Sequence, residues 1–148
     1  MATSVTYKTQ ITGTGSHFPE SRLTNDDISR KVDTSDEWIH SRTGIRERRI
    51  SQPGRPEEFN SSLALVAARR ALENAGKHHS EIDQIIVATV SPDTLVPATS
   101  CWLQGKLEAP NAWCFDLNAA CSGFVYALSV ADAFIRNGQV KTSLVVGS

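Results

Sequence analysis

The sequence has no excess of either charge and no long apolar stretch. Fifteen lysines and arginines stand against sixteen aspartates and glutamates, so the formal net charge is −1. This balance gives no overall electrostatic case for binding nucleic acid or an anionic membrane. Residues 1–11 alternate polar and apolar side chains. We therefore expect no signal peptide or transmembrane segment, and a cytoplasmic location.

Cysteine is scarce, and two common cofactor signatures are missing. The three cysteines form no close pairing motif, which suits a reducing compartment better than a disulfide framework. The adjacent His78 and His79 lack the spacing of a metal-binding pair, so we expect no metal site. The Gly13-Thr-Gly15 run lacks the third glycine of a dinucleotide fingerprint, because Phe18 stands in its place.

The elements predicted from the pattern alternate between strands and helices. Apolar runs predict strands at residues 8–14, 85–88, 113–117 and 143–146. Apolar periodicity predicts helices at residues 57–75, 97–107 and 122–137, with stop signals at Gly76 and at Asn137-Gly138. The first of these helices is expected to have Phe59, Leu63, Val66, Ala67 and Ala71 on one face. Capping patterns at Thr24 and Thr34 predict two shorter helices. The alternation predicts an α/β fold in which helices cover both faces of a mostly parallel sheet.

The most informative segment places Cys121 between a predicted strand and a predicted helix. The small residues Ala119 and Ala120 allow a tight turn, so Cys121 is expected in the first helical turn. Unpaired N–H groups there favour the thiolate, which is the nucleophilic form. Free cysteines are also often buried, so an inert core thiol is the alternative. The local pattern leaves both interpretations open.

The helix after Cys121 is apolar on nearly all sides. It is shorter than a membrane span, so we expect it to be the buried central helix of a layered α/β core. The other two thiols, Cys101 in a predicted helix and Cys114 in a predicted strand, are expected to be packing residues.

Residues 41–49 form the densest basic stretch of the chain. One interpretation is a solvated loop whose arginines pair with Glu37 and Glu47. The other is an anion site, because the planar fork of arginine suits phosphate and the nearby Trp38 is able to stack on a base. The charge pattern alone leaves both interpretations open.

Five segments, taken in order along the chain, resemble the β-ketoacyl-acyl carrier protein synthases III, the condensing enzymes that initiate fatty-acid synthesis. These segments are Gly13-Thr-Gly-Ser-His-Phe-Pro19, Val32-Asp-Thr-Ser-Asp-Glu-Trp38, Arg42-Thr-Gly-Ile-Arg-Glu-Arg48, Asn118-Ala-Ala-Cys-Ser-Gly-Phe124 and Tyr126-Ala-Leu-Ser-Val-Ala-Asp132. The resemblance implies a thiolase-type fold of two similar halves, of which residues 1–148 form the amino-terminal half-domain.

The resemblance also implies roles for particular residues. Cys121 matches the family nucleophile, which takes an acyl group from acyl-coenzyme A before condensation with malonyl-acyl carrier protein and loss of carbon dioxide. Trp38 matches the residue that stacks on the adenine of coenzyme A, with Thr34 and Arg42 as neighbouring contacts. Val96 matches the residue that reaches across a homodimer interface to shape the partner's acyl pocket; a bulkier side chain is common there, which implies a roomier pocket in this chain. No metal or redox cofactor is implied.

The family's catalytic histidine and asparagine match no residue of this chain. An apolar strand ending at Gly147-Ser148 leaves a sheet edge uncovered, so we expect a half-molecule, completed by a carboxyl-terminal half in the same or a second polypeptide. Three hypotheses follow: the amino-terminal half of a condensing acyltransferase, a related acyl-coenzyme A-dependent transferase with another acceptor, and a non-catalytic binding module.

Overall fold

The computed structural model describes residues 7–148. They form two compact units: one joins the segment before Phe18 to Asn60–Ser148, and the other is Phe18–Phe59. The expectation about a signal peptide rests partly on residues 1–6, which lie outside the described residues. No helix formed by residues 7–148 is long and apolar enough to cross a membrane.

The smaller unit combines two short strands with two short helices. In chain order its elements are β1 (Arg22–Thr24), α1 (Asn25–Ser29), α2 (Asp36–Thr43) and β2 (Glu47–Arg49). β1 and β2 pair in antiparallel register, with Leu23 opposite Arg48. The sequence did not predict this pairing, because neither strand has the apolar alternation that indicates a strand.

Both short helices of this unit have a side-chain N-cap, as predicted, but the N-cap of the second helix is one residue later than predicted. Thr24 is the N-cap of α1: its hydroxyl accepts the N–H of Asp27, and the Asp27 carboxylate accepts the N–H of Thr24. The N-cap of α2 is Ser35 and not Thr34, because the Ser35 hydroxyl accepts the N–H of Trp38 at 3.1 Å. The Thr34 hydroxyl is buried and has no hydrogen-bond partner.

The larger unit is a parallel sheet between helices. Its elements are α3 (Asn60–Ala75), β3 (Gln84–Ala88), α4 (Thr99–Leu107), β4 (Trp113–Leu117), α5 (Gly123–Arg136) and β5 (Ser143–Gly147). The strand order is β4-β3-β5, and both pairings are parallel. The predicted α/β fold is therefore confirmed, and the predicted bounds of these strands are met to within one residue.

The central strand β3 contacts both helical layers. Ile85 and Val87 belong to the cluster that includes residues of α3 and α4, whereas Ile86 and Ala88 pack with residues of α5. Successive side chains of a strand point to opposite faces, so adjacent residues divide between the two layers. All of β3 is buried, as its continuous apolar run predicts.

The strand predicted at residues 8–14 is not formed in the described structure. The segment lies against α3 instead, where the N–H of Thr14 donates to the Asn74 side chain at 3.0 Å. Gly13 makes this approach possible, since a Cβ there would lie 2.3 Å from the carbonyl oxygen of Ala71. The alternation of side chains predicted a strand, but the backbone of this segment meets a helix.

The predicted core face of α3 is displaced around the helix. The helix begins at Asn60 and not at Glu57, because Pro56–Glu58 forms a 3-10 turn. The expected face comprised Phe59, Leu63, Val66, Ala67 and Ala71, whereas the buried residues are Ser61, Ala64 and Ala68. Side chains this small allow close packing, which apolar periodicity alone does not reveal.

The sequence predicts that α5 is buried on nearly all sides, but within residues 7–148 only one of its faces is buried. Ala127 and Ala131 are buried against the sheet. Phe124, Val125 and Tyr126 are about half exposed. The sequence of the helix shows that all its faces are apolar, but only the fold determines which face packs against another element.

Candidate active site

Cys121 lies in the turn that joins β4 to α5. Ala120–Ser122 forms a 3-10 turn, so the thiol precedes α5 by two residues instead of lying within its first turn. Ala120 has a φ of 46°, in the left-handed region that residues with a Cβ rarely adopt. Such strain is concentrated at functional sites. The Cys121 residue is exposed, unlike the inert core thiol of the alternative interpretation.

The packing of α5 places this turn at the carboxyl edge of the parallel sheet. A Cβ on Gly123 would lie 3.3 Å from the Ala88 methyl group, so the helix starts in close contact with the end of β3. The N–H of Thr89 donates to the carbonyl of Leu117 at 3.1 Å, which joins the ends of β3 and β4. Ligands of open α/β sheets bind outside the carboxyl ends of strands, and Cys121 follows such an end.

A carboxylate on β4 holds the start of α4. Asp116 accepts the N–H of Thr99 and the N–H of Ser100, each at 2.8 Å. The N-cap residue Ala98 has no side chain able to accept these groups, and both donors belong to fully buried residues. Sequence reasoning missed this contact, although an aspartate in an otherwise apolar strand was a signal for it.

Val96 lies on the connection between β3 and α4. It is 88% exposed, and its neighbour Leu95 is 89% exposed. Thr94 fixes the connection, because its hydroxyl donates to the carbonyl of Pro97 at 2.6 Å and accepts the indole N–H of Trp102 at 3.0 Å. The loop is thus restrained while its two apolar side chains project outward.

In the smaller unit, α2 brings Trp38 and Arg42 together. The guanidinium carbon of Arg42 lies 4.6 Å from the centroid of the Trp38 ring, a cation–π contact between residues one helical turn apart. Trp38 is 54% exposed. The buried, unpartnered hydroxyl of Thr34 lies two residues before the helix. Of the three predicted coenzyme A contacts, Thr34 therefore lies just before α2, and Trp38 and Arg42 lie on α2 itself.

Two other arginines of residues 41–49, Arg48 and Arg49, make structural contacts. Arg49 donates to the carbonyl of Pro19 at 2.9 Å, and Arg48 donates to the side chain of Asn25, which is buried. Glu47 pairs with Arg22 at 2.7 Å, and not with an arginine of its own stretch as the solvated-loop interpretation expected. Within residues 7–148, no group of three or more histidines, cysteines or acidic residues is arranged to hold a metal ion.

The parallel sheet, the helices on both faces and the strained cysteine turn together define a thiolase-like α/β chain. Residues 115–148, which contain that turn, match the family model of 3-oxoacyl-[acyl-carrier-protein] synthase III. The β-ketoacyl-[acyl-carrier-protein] synthases III of Xanthomonas campestris and Clostridium acetobutylicum are 56% and 55% identical to the chain over 139 residues. The alignments cover 94% of this chain and 42% of each relative.

Solved structures agree. The 3-oxoacyl-[acyl-carrier-protein] synthase III of Aquifex aeolicus matches with a TM-score of 0.88 and 47% identity, over 94% of this chain and 44% of that chain. The priming β-ketosynthase of the R1128 polyketide pathway matches with a TM-score of 0.90 and 36% identity, over 100% of this chain and 43% of that chain.

Over 94% of its length the chain is therefore similar to the amino-terminal part of the β-ketoacyl-acyl carrier protein synthases III. It spans 42% of the length of the curated relatives it matches. The resemblance seen in the sequence is confirmed at the level of family and fold.

Proposed function

We propose that the chain is the amino-terminal thiolase-like half of a condensing acyltransferase that initiates fatty-acid synthesis. The enzyme transfers an acyl group from acyl-coenzyme A to Cys121, then condenses it with malonyl-acyl carrier protein with loss of carbon dioxide. The observation that carries this proposal is an exposed cysteine on a strained turn, inside the segment that matches the family. A carboxyl-terminal half, in the same or a second polypeptide, supplies the catalytic histidine and asparagine.

The chemistry assigned to Cys121 is nucleophilic. Its sulfur attacks the thioester carbonyl, the bond to the sulfur of coenzyme A breaks, and coenzyme A leaves as a thiol once it has taken up the proton of Cys121. The covalent acyl-enzyme divides one difficult condensation into two easier steps. The backbone N–H of Cys121 donates to the developing oxyanion, which lowers the barrier to attack.

We assign recognition of the coenzyme A nucleotide to Trp38, Arg42 and Thr34. The indole is more than half exposed although Arg42 covers part of it, which leaves aromatic surface for an adenine. Arginine donates to phosphate through a planar fork, so Arg42 is suited to contact both the ring and the anionic part of the ligand. The assignment of Thr34 rests on the resemblance alone, because its unpartnered hydroxyl is buried.

The proposed assembly is a homodimer in which Val96 of one subunit contributes to the acyl pocket of the other. The support is a restrained loop that presents Val96 and Leu95 almost fully exposed. A reducing, cytoplasmic location suits a chain with three free thiols. No metal or redox cofactor enters the proposed reaction.

A second candidate is a related acyl-coenzyme A-dependent acyltransferase with another acceptor. The match to the priming β-ketosynthase of a polyketide pathway, with a TM-score of 0.90, supports it only so far as this fold also serves a pathway other than fatty-acid synthesis. Acyl transfer to Cys121 is common to both candidates, so the two separate only at the condensation step. A non-catalytic module would show neither step.

Peptide mapping of the intact protein tests the first step. After incubation with radiolabelled acetyl-coenzyme A, cleavage before aspartates and after lysines and arginines releases peptide 116–131, which has Cys121 as its one cysteine. We expect the acetyl group on this peptide, its loss in Cys121→Ser, and its retention in Cys101→Ser, which removes another exposed thiol. Label on a different peptide, or none at all, would contradict the proposal. Addition of malonyl-acyl carrier protein then distinguishes the acceptors by whether a β-ketoacyl product forms.

A further inference from the structure

Two thiols outside the proposed active site lie in contact. The Sγ of Cys114 on β4 is 3.6 Å from the Sγ of Cys101 on α4. The expectation that both are packing residues holds for Cys114, which packs against the core cluster of α3 and α4, but is wrong for Cys101, which is exposed. The two side chains meet because Cys114 lies on the face of β4 that α4 covers.

Contacts between β4 and α4 fix the positions of these two cysteines. Asp116, two residues after Cys114, accepts both N–H groups at the start of α4, immediately before Cys101. The Cys114 sulfur also lies 3.5 Å from the side-chain oxygen of Gln104, one turn further along α4. A disulfide bond requires sulfurs about 2.05 Å apart, so closure needs the two sulfurs to approach each other by roughly 1.5 Å.

The two thiols differ in environment, which suits them to different roles. Burial and the hydrogen bond to the sulfur of Cys101 raise the pKa of the Cys114 thiol to about 11. Cys114 is therefore protonated at rest and only partly accessible, so it resists direct oxidation, whereas solvent and small oxidants reach Cys101 directly. Oxidation of cysteine follows exposure, and a neighbouring thiol converts the first oxidation product into a disulfide.

We propose that Cys101 and Cys114 form an oxidation-responsive pair that closes to a disulfide when it meets a peroxide. Cys101 sulfur attacks one peroxide oxygen, the O–O bond breaks, and Cys101 becomes a sulfenic acid with release of one water. Cys114 sulfur then attacks Cys101 sulfur, the S–OH bond breaks, and hydroxide leaves with the Cys114 proton as a second water. Two thiols are oxidised by two electrons and hydrogen peroxide is reduced to two waters.

This pair is distinct from the proposed nucleophile and does not depend on the proposed function. Cys121 lies in the β4–α5 turn, after the end of β4, whereas Cys114 lies within β4 on its α4 side. A disulfide in cytosolic proteins is usually transient and responds to oxidants. Its closure would join the first turn of α4 to β4 by a covalent bond next to the Asp116 contacts.

Non-reducing peptide mapping tests the pair in the intact native protein. After treatment with hydrogen peroxide and blocking of free thiols, combined cleavage before aspartates and after lysines and arginines separates the three cysteines, since Cys101 falls in peptide 93–106, Cys114 in 107–115 and Cys121 in 116–131. We expect peptides 93–106 and 107–115 to be joined with the loss of two hydrogens, and dithiothreitol to release them.

Three variants identify which two sulfur atoms form the disulfide bond. Cys101→Ser and Cys114→Ala should each abolish the joined peptides, whereas Cys121→Ser should keep them. Since Cys101 is exposed, its serine variant is expected to fold, so the test does not rest on the less accessible Cys114. Sulfinic acid on Cys101 without a joined species, joining through Cys121 or between chains, or no oxidation of Cys101 under conditions that oxidise a cysteine peptide would each overturn the proposal.

Discussion

The carboxylate of Asp116 accepts the backbone N–H of Thr99 at 2.8 Å, so a strand residue caps a helix that begins 17 positions earlier in the chain. Helices leave their first N–H groups without internal partners, and these are usually satisfied by a side chain at the N-cap. Ala98 provides none. The cap of α4 is therefore a tertiary contact that ties the helix to the strand leading to Cys121.

Replacing Asp116 should destabilise the fold. Asp116→Ala leaves the N–H groups of Thr99 and Ser100 buried without an acceptor, which we expect to lower the free energy of unfolding by about 1–3 kcal/mol. Urea denaturation of the intact protein measures the loss. Asp132→Ala is the matched control, because the Asp132 side chain is 43% exposed and pairs with Arg136 at 3.7 Å; we expect a change within about 0.5 kcal/mol. Equal effects of the two substitutions would show that the α4 cap contributes no more to the free energy of unfolding than a surface ion pair does.

Two glycines should respond to alanine in opposite directions. A Cβ at Gly13 would lie 2.3 Å from the carbonyl oxygen of Ala71 and 2.7 Å from the backbone nitrogen of Ala75. Because backbone atoms of α3 cannot move aside cheaply, we expect Gly13→Ala to destabilise the protein by about 1–3 kcal/mol or more. Thermal or urea unfolding provides the measurement.

Gly105 provides the control for that substitution. It lies inside α4, and a Cβ there would meet nothing within 4 Å. Alanine loses less backbone entropy on helix formation, so Gly105→Ala should stabilise the protein by roughly 0.5–1 kcal/mol. A neutral Gly13→Ala variant would mean that residues 8–14 do not pack against α3 as described.

The exposed indole of Trp38 gives a binding prediction. Trp38→Ala should raise the Kd of coenzyme A by roughly 5- to 150-fold, which corresponds to about 1–3 kcal/mol of lost base stacking. Arg42→Lys keeps the charge but loses the planar group over the ring, so we expect a smaller increase of Kd. Isothermal titration with unacylated coenzyme A measures both.

A second exposed tryptophan controls for nonspecific loss of aromatic surface. Trp102 is 43% exposed and belongs to α4. Trp102→Ala should leave the Kd of coenzyme A within about twofold of the parent value if stacking is specific to α2. Unchanged affinity in Trp38→Ala would remove the nucleotide role from that helix.

The acyl pocket can be tested at Val96. Val96→Phe should lower kcat/KM for hexanoyl-coenzyme A by about 10-fold or more relative to acetyl-coenzyme A, because a larger ring occupies space needed by the longer chain. Leu95→Phe, at the neighbouring and equally exposed position, should leave this ratio unchanged. Acyl-enzyme formation with the two thioesters measures the ratio. A parallel loss with both substrates would indicate a folding or assembly defect and count against a pocket role.

Local patterns predicted most of the larger unit. Short, mainly apolar runs predict the strands β3, β4 and β5, and Gly76 and Asn137-Gly138 predict the ends of α3 and α5. These signals are local, since a glycine that adopts a positive φ stops a helix whatever lies around it. Residues 8–14 carried a strand pattern too, but a strand also needs a partner strand, and sequence spacing does not say whether one is available.

In the candidate sites, too, some features were predictable from local sequence and others were not. The positions of Cys121, Trp38 and Arg42 followed from short segments, because turn, cap and helical spacing bring each of them into place. The cap at Asp116, the contact of Arg48 with Asn25 and the meeting of Cys101 with Cys114 join residues 13 to 23 positions apart. No local periodicity encodes such contacts.

The sequence by itself determined the alternation of strands and helices, the turn that carries Cys121 and the family that the chain resembles. These depend on propensities and motifs within a few residues. The tertiary structure decided which face of α3 and of α5 is buried, how α4 is capped, and which thiols meet. Each of these depends on the packing of elements distant in the chain, where the close approach of backbones and the satisfaction of buried N–H groups select one arrangement.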